Sequence, residues 1–232
     1  MRGLLHSLVK EYRRQGMQEK IIPLLKKAHR ELDQSREITD LLTAELQKSG
    51  GGEQALKLAW DEFAKEPMFD ETLDRLQAVS SKMNCWKEYY QKALDFLEAQ
   101  DKRDDKRKYA FYYRDDIRER RVQVLFAHGD QEAAWGLAQG STLSEKCWLK
   151  LAEWRSKDMP QEAASVVKSL LADALRSTGE EAYRHVIELL KKYRNYLKMA
   201  GNEAEFAACC ASIRVEYKRR RLLMEQMNAA KL

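Results

Sequence analysis

Apolar positions along the chain recur at the spacing of one helical face from end to end, and no stretch alternates with the period of a strand. Leu4, Leu5, Leu8, Val9 and Tyr12 form a first stripe that stops at Gly16. Ile21, Ile22, Leu25, Ala28 and Leu32 form a second, and Ile38, Leu41, Leu42 and Leu46 a third, closed by the Gly50–Gly52 run that no helix interior tolerates. Helices follow over Glu53–Lys65, Phe69–Lys82 and Cys85–Glu98, the first two separated by Pro67, because the residue before a proline leaves the helical region. The pattern continues with Tyr109–His128, Gln131–Gln139, Ser144–Ser156 and a helix opened by Pro160 at its first turn. Thr178 with Glu181, and Asn202 with Glu205, have the spacing of capping boxes in front of the last two long helices.

A helix with one apolar stripe cannot bury it alone, so such a succession implies helices stacked on helices. The expected fold is all-α: a right-handed α-α superhelix of antiparallel helix pairs over residues 1–232 as a single helical-repeat domain. The phrases Gly52-Glu53-Gln54-Ala55, Gly129-Asp130-Gln131-Glu132-Ala133, Pro160-Gln161-Glu162-Ala163 and Gly201-Asn202-Glu203-Ala204 place small residues at helix starts, where close crossings favour alanine. Their unequal spacing fits a degenerate, TPR-like helical-pair solenoid. Asp101–Lys108 is an unbroken charged run without an apolar stripe, read as hydrated linker or exposed helix start, and 100–108 is the candidate hinge.

Two stretches, Gly50–Leu97 and Glu180–Met227, resemble the helical C-terminal region of bacterial SWIM zinc finger proteins. The likeness is carried by Ala55, Leu56, Ala59, Trp60 and Phe63, then by Trp86, Ala93 and Leu94, and finally by Glu205, Phe206, Ile213, Arg214 and the basic Lys218–Arg221. The Cys-x-Cys and Cys-x-His pairs of that family's finger are absent from this sequence, and Cys209-Cys210 stands where the family pattern has a tyrosine. The resemblance therefore implies the helical region without its finger, and no zinc comes with it.

Composition agrees with a folded helical protein: of 232 residues only three are proline and ten glycine, and 44% are hydrophobic. No apolar run reaches the length of a membrane span or a secretory core, so a cytoplasmic protein is expected. Cys85, Cys147, Cys209 and Cys210 lie inside helical patterns without metal-type spacing, which points to reduced thiols packed in cores. Trp60, Trp86, Trp135, Trp148 and Trp154 are expected as core or inter-helix anchors.

The chemistry-bearing residues do not assemble into a reaction. His185 has Glu181 and Glu188 within a helical turn, but a metal needs ligands from a second element, and the sequence supplies no matching cluster. His6, His29 and His128 are isolated, and there is no phosphate loop and no G-x-S-x-G elbow. The expectation is a non-enzymatic scaffold for protein-protein interaction, without cofactor or metal and without a membrane role.

Charge is the feature that points to a partner. From Arg176 onward the chain holds 12 Lys and Arg against 7 Asp and Glu, which accounts for the whole net charge of +5. Arg184, Lys191, Arg194 and Lys198 gather on one flank of a helix, and Arg214, Lys218 and Arg221 recur at i, i+4, i+7 on what reads as the last helix. Such stripes suit an acidic protein partner or, in the alternative reading, a nucleic-acid-associated module whose basic helices contact phosphates. Arg220 falls on the apolar stripe and is expected to lay its stem along it and pair with a carboxylate.

Overall fold

A computed structural model describes the backbone of residues 2–31, 36–103 and 110–232, and the side chains of 5–31, 36–102 and 117–232. Among the described residues the chain is all-α: α1 Arg2–Arg14, a 3-10 turn Gln18–Lys20, α2 Ile21–Glu31, α3 Arg36–Lys48, α4 Gly52–Lys65, α5 Asp70–Lys82, α6 Trp86–Arg103, α7 Ala110–Ala127, α8 Gln131–Ala138, α9 Glu145–Arg155, α10 Pro160–Ala174, α11 Glu180–Met199, α12 Glu203–Glu216 and α13 Arg221–Ala229. The chain divides into two compact units, Met1–Arg120 and Arg121–Leu232. Residues 104–108 of the expected hinge lie outside the described residues. Its opening residue is not hydrated linker: Asp101 belongs to α6, is 6% exposed, and takes Arg118 through Nη2 at 3.1 Å and Nε at 3.2 Å. A nearby guanidinium compensates the charge, so a polar position that the sequence suggests is wet can be buried.

Within the first unit α2 packs on α3, α3 on α4, α4 on α5 and α5 on α6, while α1 meets the 3-10 turn. The apolar stripes read from the sequence are the buried ones: Ile21, Leu25 and Ala28 in α2, Ile38, Leu42 and Leu46 in α3, Ala55, Ala59 and Phe63 in α4. Trp60, Phe63 and Phe96 share an aromatic cluster, with Trp60 and Phe96 edge to face at 5.9 Å. Trp86 is half-buried beside Tyr90. Gly50, at φ +79, ends α3 in the left-handed region that a side chain would strain.

The second unit is built the same way, with α9 on α10, α10 on α11, and α12 and α13 both on α11. Val122, Ala134, Trp135, Ala138, Cys147 and Leu151 form one core cluster; a larger one lies between α10 and α13 around Val186, Leu190, Tyr193 and Leu197. Ser144 caps α9 by accepting from the Cys147 N–H, and Pro160 sits at the first turn of α10 as expected. The two expected capping boxes do not form. α11 starts after Gly179, with no side-chain cap, and Asn202 turns its amide to Glu205 Oε2 at 2.8 Å instead of capping α12. Glu205 is drawn into tertiary bonds with Tyr193, Lys168 and Gln161, which outcompete the local one. Of the recurring small residues, Ala55 and Ala163 are buried at close crossings, whereas Ala133 and Ala204 are exposed and Ala134 takes the inward place in α8.

Candidate functional site

α11 buries one broad face, Tyr183, Val186, Ile187, Leu189, Leu190, Tyr193, Tyr196 and Leu197, against α10 and against α12 with α13. The exposed residues of its C-terminal half are basic apart from Asn195 and Met199. Lys191, Arg194, Asn195 and Lys198 stand at i, i+3, i+4 and i+7, so one turn after another presents a cation along the same flank. α12 faces that flank with Glu203, Phe206 and Ala207, and together the two helices line a cavity of 640 Å³. Phe206 is half-buried, its ring tilted against the buried Tyr193 at 6.1 Å, and the Arg194 guanidinium lies 6.0 Å from the Phe206 centroid. The site is therefore a basic groove with an aromatic side wall and Glu203 as its acid.

The seven basic residues expected to bind an anionic partner do not all meet. Lys191, Arg194 and Lys198 converge on the groove. Lys191 also touches Glu188 on its own helix at 2.7 Å, and Arg194 reaches the Lys231 carbonyl at 3.4 Å. Arg184 lies elsewhere on α11, paired with Glu180, which raises its pKa. Arg214 is half-buried, donating from Nη2 to the Leu232 carbonyl at 2.6 Å. Lys218 and Arg221 do not continue a stripe with it: α12 ends at Glu216, Lys218 lies in the following turn, and Arg221 is the first residue of α13. A helix continuing through Lys218–Arg221 would stack four like charges within one turn, and the break lets Arg220 leave the axis. The groove residues that charge counting missed are Phe206, Asn195, Glu203 and Ala207, whose placement depends on how α12 crosses α11.

Arg220 is held by the fold, but not through the register of a continuous helix: it lies between α12 and α13, and its acceptors are carbonyls, not a carboxylate. Nη1 donates to Leu175 O at 2.7 Å and Ser177 O at 3.1 Å, and the guanidinium stacks 4.6 Å from the Tyr217 ring centroid. The last carbonyls of a helix lack intrahelical donors and form the negative end of its dipole, so the C-terminus of α10 offers a cation what a carboxylate would. Replacing Arg220 by alanine is expected to lower stability by about 1 to 3 kcal/mol, the loss for a charge-assisted bond with its acceptors left behind. The readout is the thermal midpoint; an unchanged midpoint would show that water replaces the guanidinium at no cost.

Two other expectations shift in detail. His185 turns from its own helix to Glu145 of α9, with Nε2 at 2.9 Å from Oε2. Of the four thiols expected in cores, Cys147 and Cys210 are buried and Cys85 and Cys209 half-buried; burial first and the neighbouring Cys209 second push the Cys210 pKa up to about 11, so it is held as an unreactive thiol. None of the four cysteines is in a disulfide. No described helix is long and apolar enough to cross a membrane.

No protein-family model and no curated protein matches this sequence. Among solved structures the chain is similar to a thermophilic TPR protein of Thermus thermophilus, at 17% identity and a TM-score of 0.35, over 85% of this chain and 99% of that one. It is also similar to pilF of Pseudomonas aeruginosa, at 14% identity and a TM-score of 0.32 over 98% and 97% of the two chains. A tetratricopeptide repeat protein from Parabacteroides merdae gives 13% identity and a TM-score of 0.30, over 99% and 91%. At these scores the likenesses carry no functional argument.

Proposed function

We propose that this chain is a non-enzymatic helical scaffold, acting in the cytoplasm, whose α11–α12 groove holds an acidic segment of a protein partner. The observation that supports this most directly is the convergence of Lys191, Arg194 and Lys198 beside the half-buried Phe206, with Glu203 as the acid of the lining. An aromatic wall next to clustered cations suits a peptide that brings both carboxylates and apolar atoms. The resemblance to the helical region of SWIM zinc finger proteins belongs to the same proposal, with α4, α6 and α12 carrying the shared phrases.

A phosphate backbone needs a longer basic track. Arg184 and Arg214 are engaged with Glu180 and the Leu232 carbonyl, and Lys218 and Arg221 sit on different elements, which favours the peptide over the nucleic acid. The Lys191–Glu188 contact is an exposed pair, worth about 0 to 1 kcal/mol, so a partner's carboxylate displaces it readily.

The test uses a fluorescent glutamate-rich peptide containing one phenylalanine, and a single-stranded DNA oligonucleotide as the competing probe. Lys191→Gln, Arg194→Gln and Lys198→Gln together are expected to weaken peptide binding at least about tenfold, equivalent to ~1.4 kcal/mol, with little change in thermal midpoint. Equal peptide affinity in the parent and triple variant would remove this groove as the site. Tighter binding of the DNA, with steep salt dependence, would transfer the reading to nucleic acid.

A further inference from the structure

The first unit carries a second groove of different chemistry. α2 and α4 both pack on α3, and the trough between them has a volume of about 530 Å³. Its floor is apolar: Leu42 and Leu46 of α3, with the half-buried Leu58 of α4 beside them. Its edges are cationic, with Lys26 and Arg30 one helical turn apart on α2 and Lys57 on α4, against Asp61. Two contacts span the walls, Lys26 Nζ to Gln54 Oε1 at 3.1 Å and the buried His29 Nε2 at 3.3 Å from Glu62 Oε1, the second an ion-pair distance without hydrogen-bond alignment. The spacing between α2 and α4 is thus held by the protein itself, and an occupant need not pay to open the trough.

We infer that this trough is a docking site for an acidic amphipathic segment of a partner protein, with leucine-type side chains over Leu42, Leu46 and Leu58 and carboxylates meeting Lys26, Arg30 and Lys57. Charge complementarity selects the occupant. A neutral apolar segment would bury an apolar face but leave three cations at the edge unanswered, and a basic one would be repelled by them. The trough's walls are two helices and its floor is aliphatic, which suits an occupant that presents residues at i and i+3 or i+4. The α11–α12 groove has little aliphatic surface, so the two sites would read different segments, and this proposal does not rest on that one.

A displayed library of random 12-residue peptides, selected on the full chain with depletion against the Lys26→Glu, Arg30→Glu, Lys57→Glu variant, tests it. Enriched peptides are expected to combine Asp or Glu with Leu, Ile, Met or Phe pairs three or four apart. A synthetic copy of one should lose at least about tenfold in affinity on that variant and on Leu58→Ser, yet bind the Lys191→Gln, Arg194→Gln, Lys198→Gln variant like the parent. Far-ultraviolet spectra and thermal midpoints confirm that the variants stay folded, and Leu58→Ser provides a second route should the charge reversals unfold the unit. No enrichment over the depleted variant, or enrichment of basic or neutral sequences, overturns the proposal. So does a parent that self-associates through this face and becomes monomeric on the same substitutions, since a second copy would then be the occupant. Peptides that lose affinity only on the α11 variant would refute this site while leaving the other standing.

Discussion

Replacing Arg120 by alanine is expected to destabilise the first unit by about 2 to 4 kcal/mol, whereas Asp70→Ala should cost less than about 1 kcal/mol, although the two residues form one ion pair. Arg120 is 3% exposed; its Nε donates to Pro67 O at 3.0 Å and its Nη2 to Phe69 O at 3.3 Å, while Nη1 pairs with the Asp70 carboxylate. The carboxylate side chain is 82% exposed, so water replaces what it loses. The two carbonyls belong to the tight segment between α4 and α5; Phe69 O keeps the Thr72 hydroxyl at 2.9 Å, but the Pro67 carbonyl is left facing a cavity in place of the guanidinium. Urea unfolding followed by circular dichroism gives both losses. If Asp70→Ala costs as much as Arg120→Ala, the ion pair, and not the satisfaction of the carbonyls, is what holds this loop.

Tyr193→Ala is expected to cost the second unit about 3 to 5 kcal/mol, and Tyr193→Phe about 1 kcal/mol. The ring is fully buried between α10 and α12, and its hydroxyl donates to Glu205 Oε1 at 2.8 Å. Glu205 also accepts from Lys168 at 2.9 Å and Gln161 at 3.0 Å; the Lys168 bond first, then those of Tyr193 and Gln161, lower its pKa from the ordinary 4.5 to about 2. A depressed carboxylate contributes stability that is fully present above its unfolded value and is lost as pH falls through the folded one, here between about 4.5 and about 2. The Tyr193 phenol is shifted the other way, upward, by burial first and Glu205 second, so its contribution is present below its ordinary value of 10 and lost as pH rises above it. Stability of Glu205→Gln should therefore be flatter than that of the parent across the acid window. A parent whose acid limb is unchanged by Glu205→Gln would place the titration elsewhere.

Much of this was legible in the sequence because a helix writes its buried face at a fixed period. Ile38, Leu42 and Leu46, or Val186, Leu190, Tyr193 and Leu197, could be assigned inward from spacing alone, since any stack of helices must bury such stripes. Helix ends set by backbone chemistry were equally readable: Pro160 fits a first turn, and the left-handed Gly50 a last one. The excess of cations near the C-terminus could be read by counting.

What the sequence could not determine was which polar groups meet across helices, because side chains choose partners by three-dimensional proximity and the local option is only one competitor. Glu205 has the spacing of a capping box, but Tyr193 and Lys168 take it. Arg220 was expected on a carboxylate, but α10 ends nearby and presents bare carbonyls. The basic stripe on a single last helix dissolved because the chain breaks between Glu216 and Arg221, and the surviving cations became a groove only when α12 laid Phe206 beside them. The trough over Leu42 and Leu46 is of the same kind: each wall reads as an ordinary solvated helix face, and its chemistry exists only because α2 and α4 pack on the same side of α3. Periodicity fixes what is buried, whereas the crossings of helices decide which exposed charges stand together.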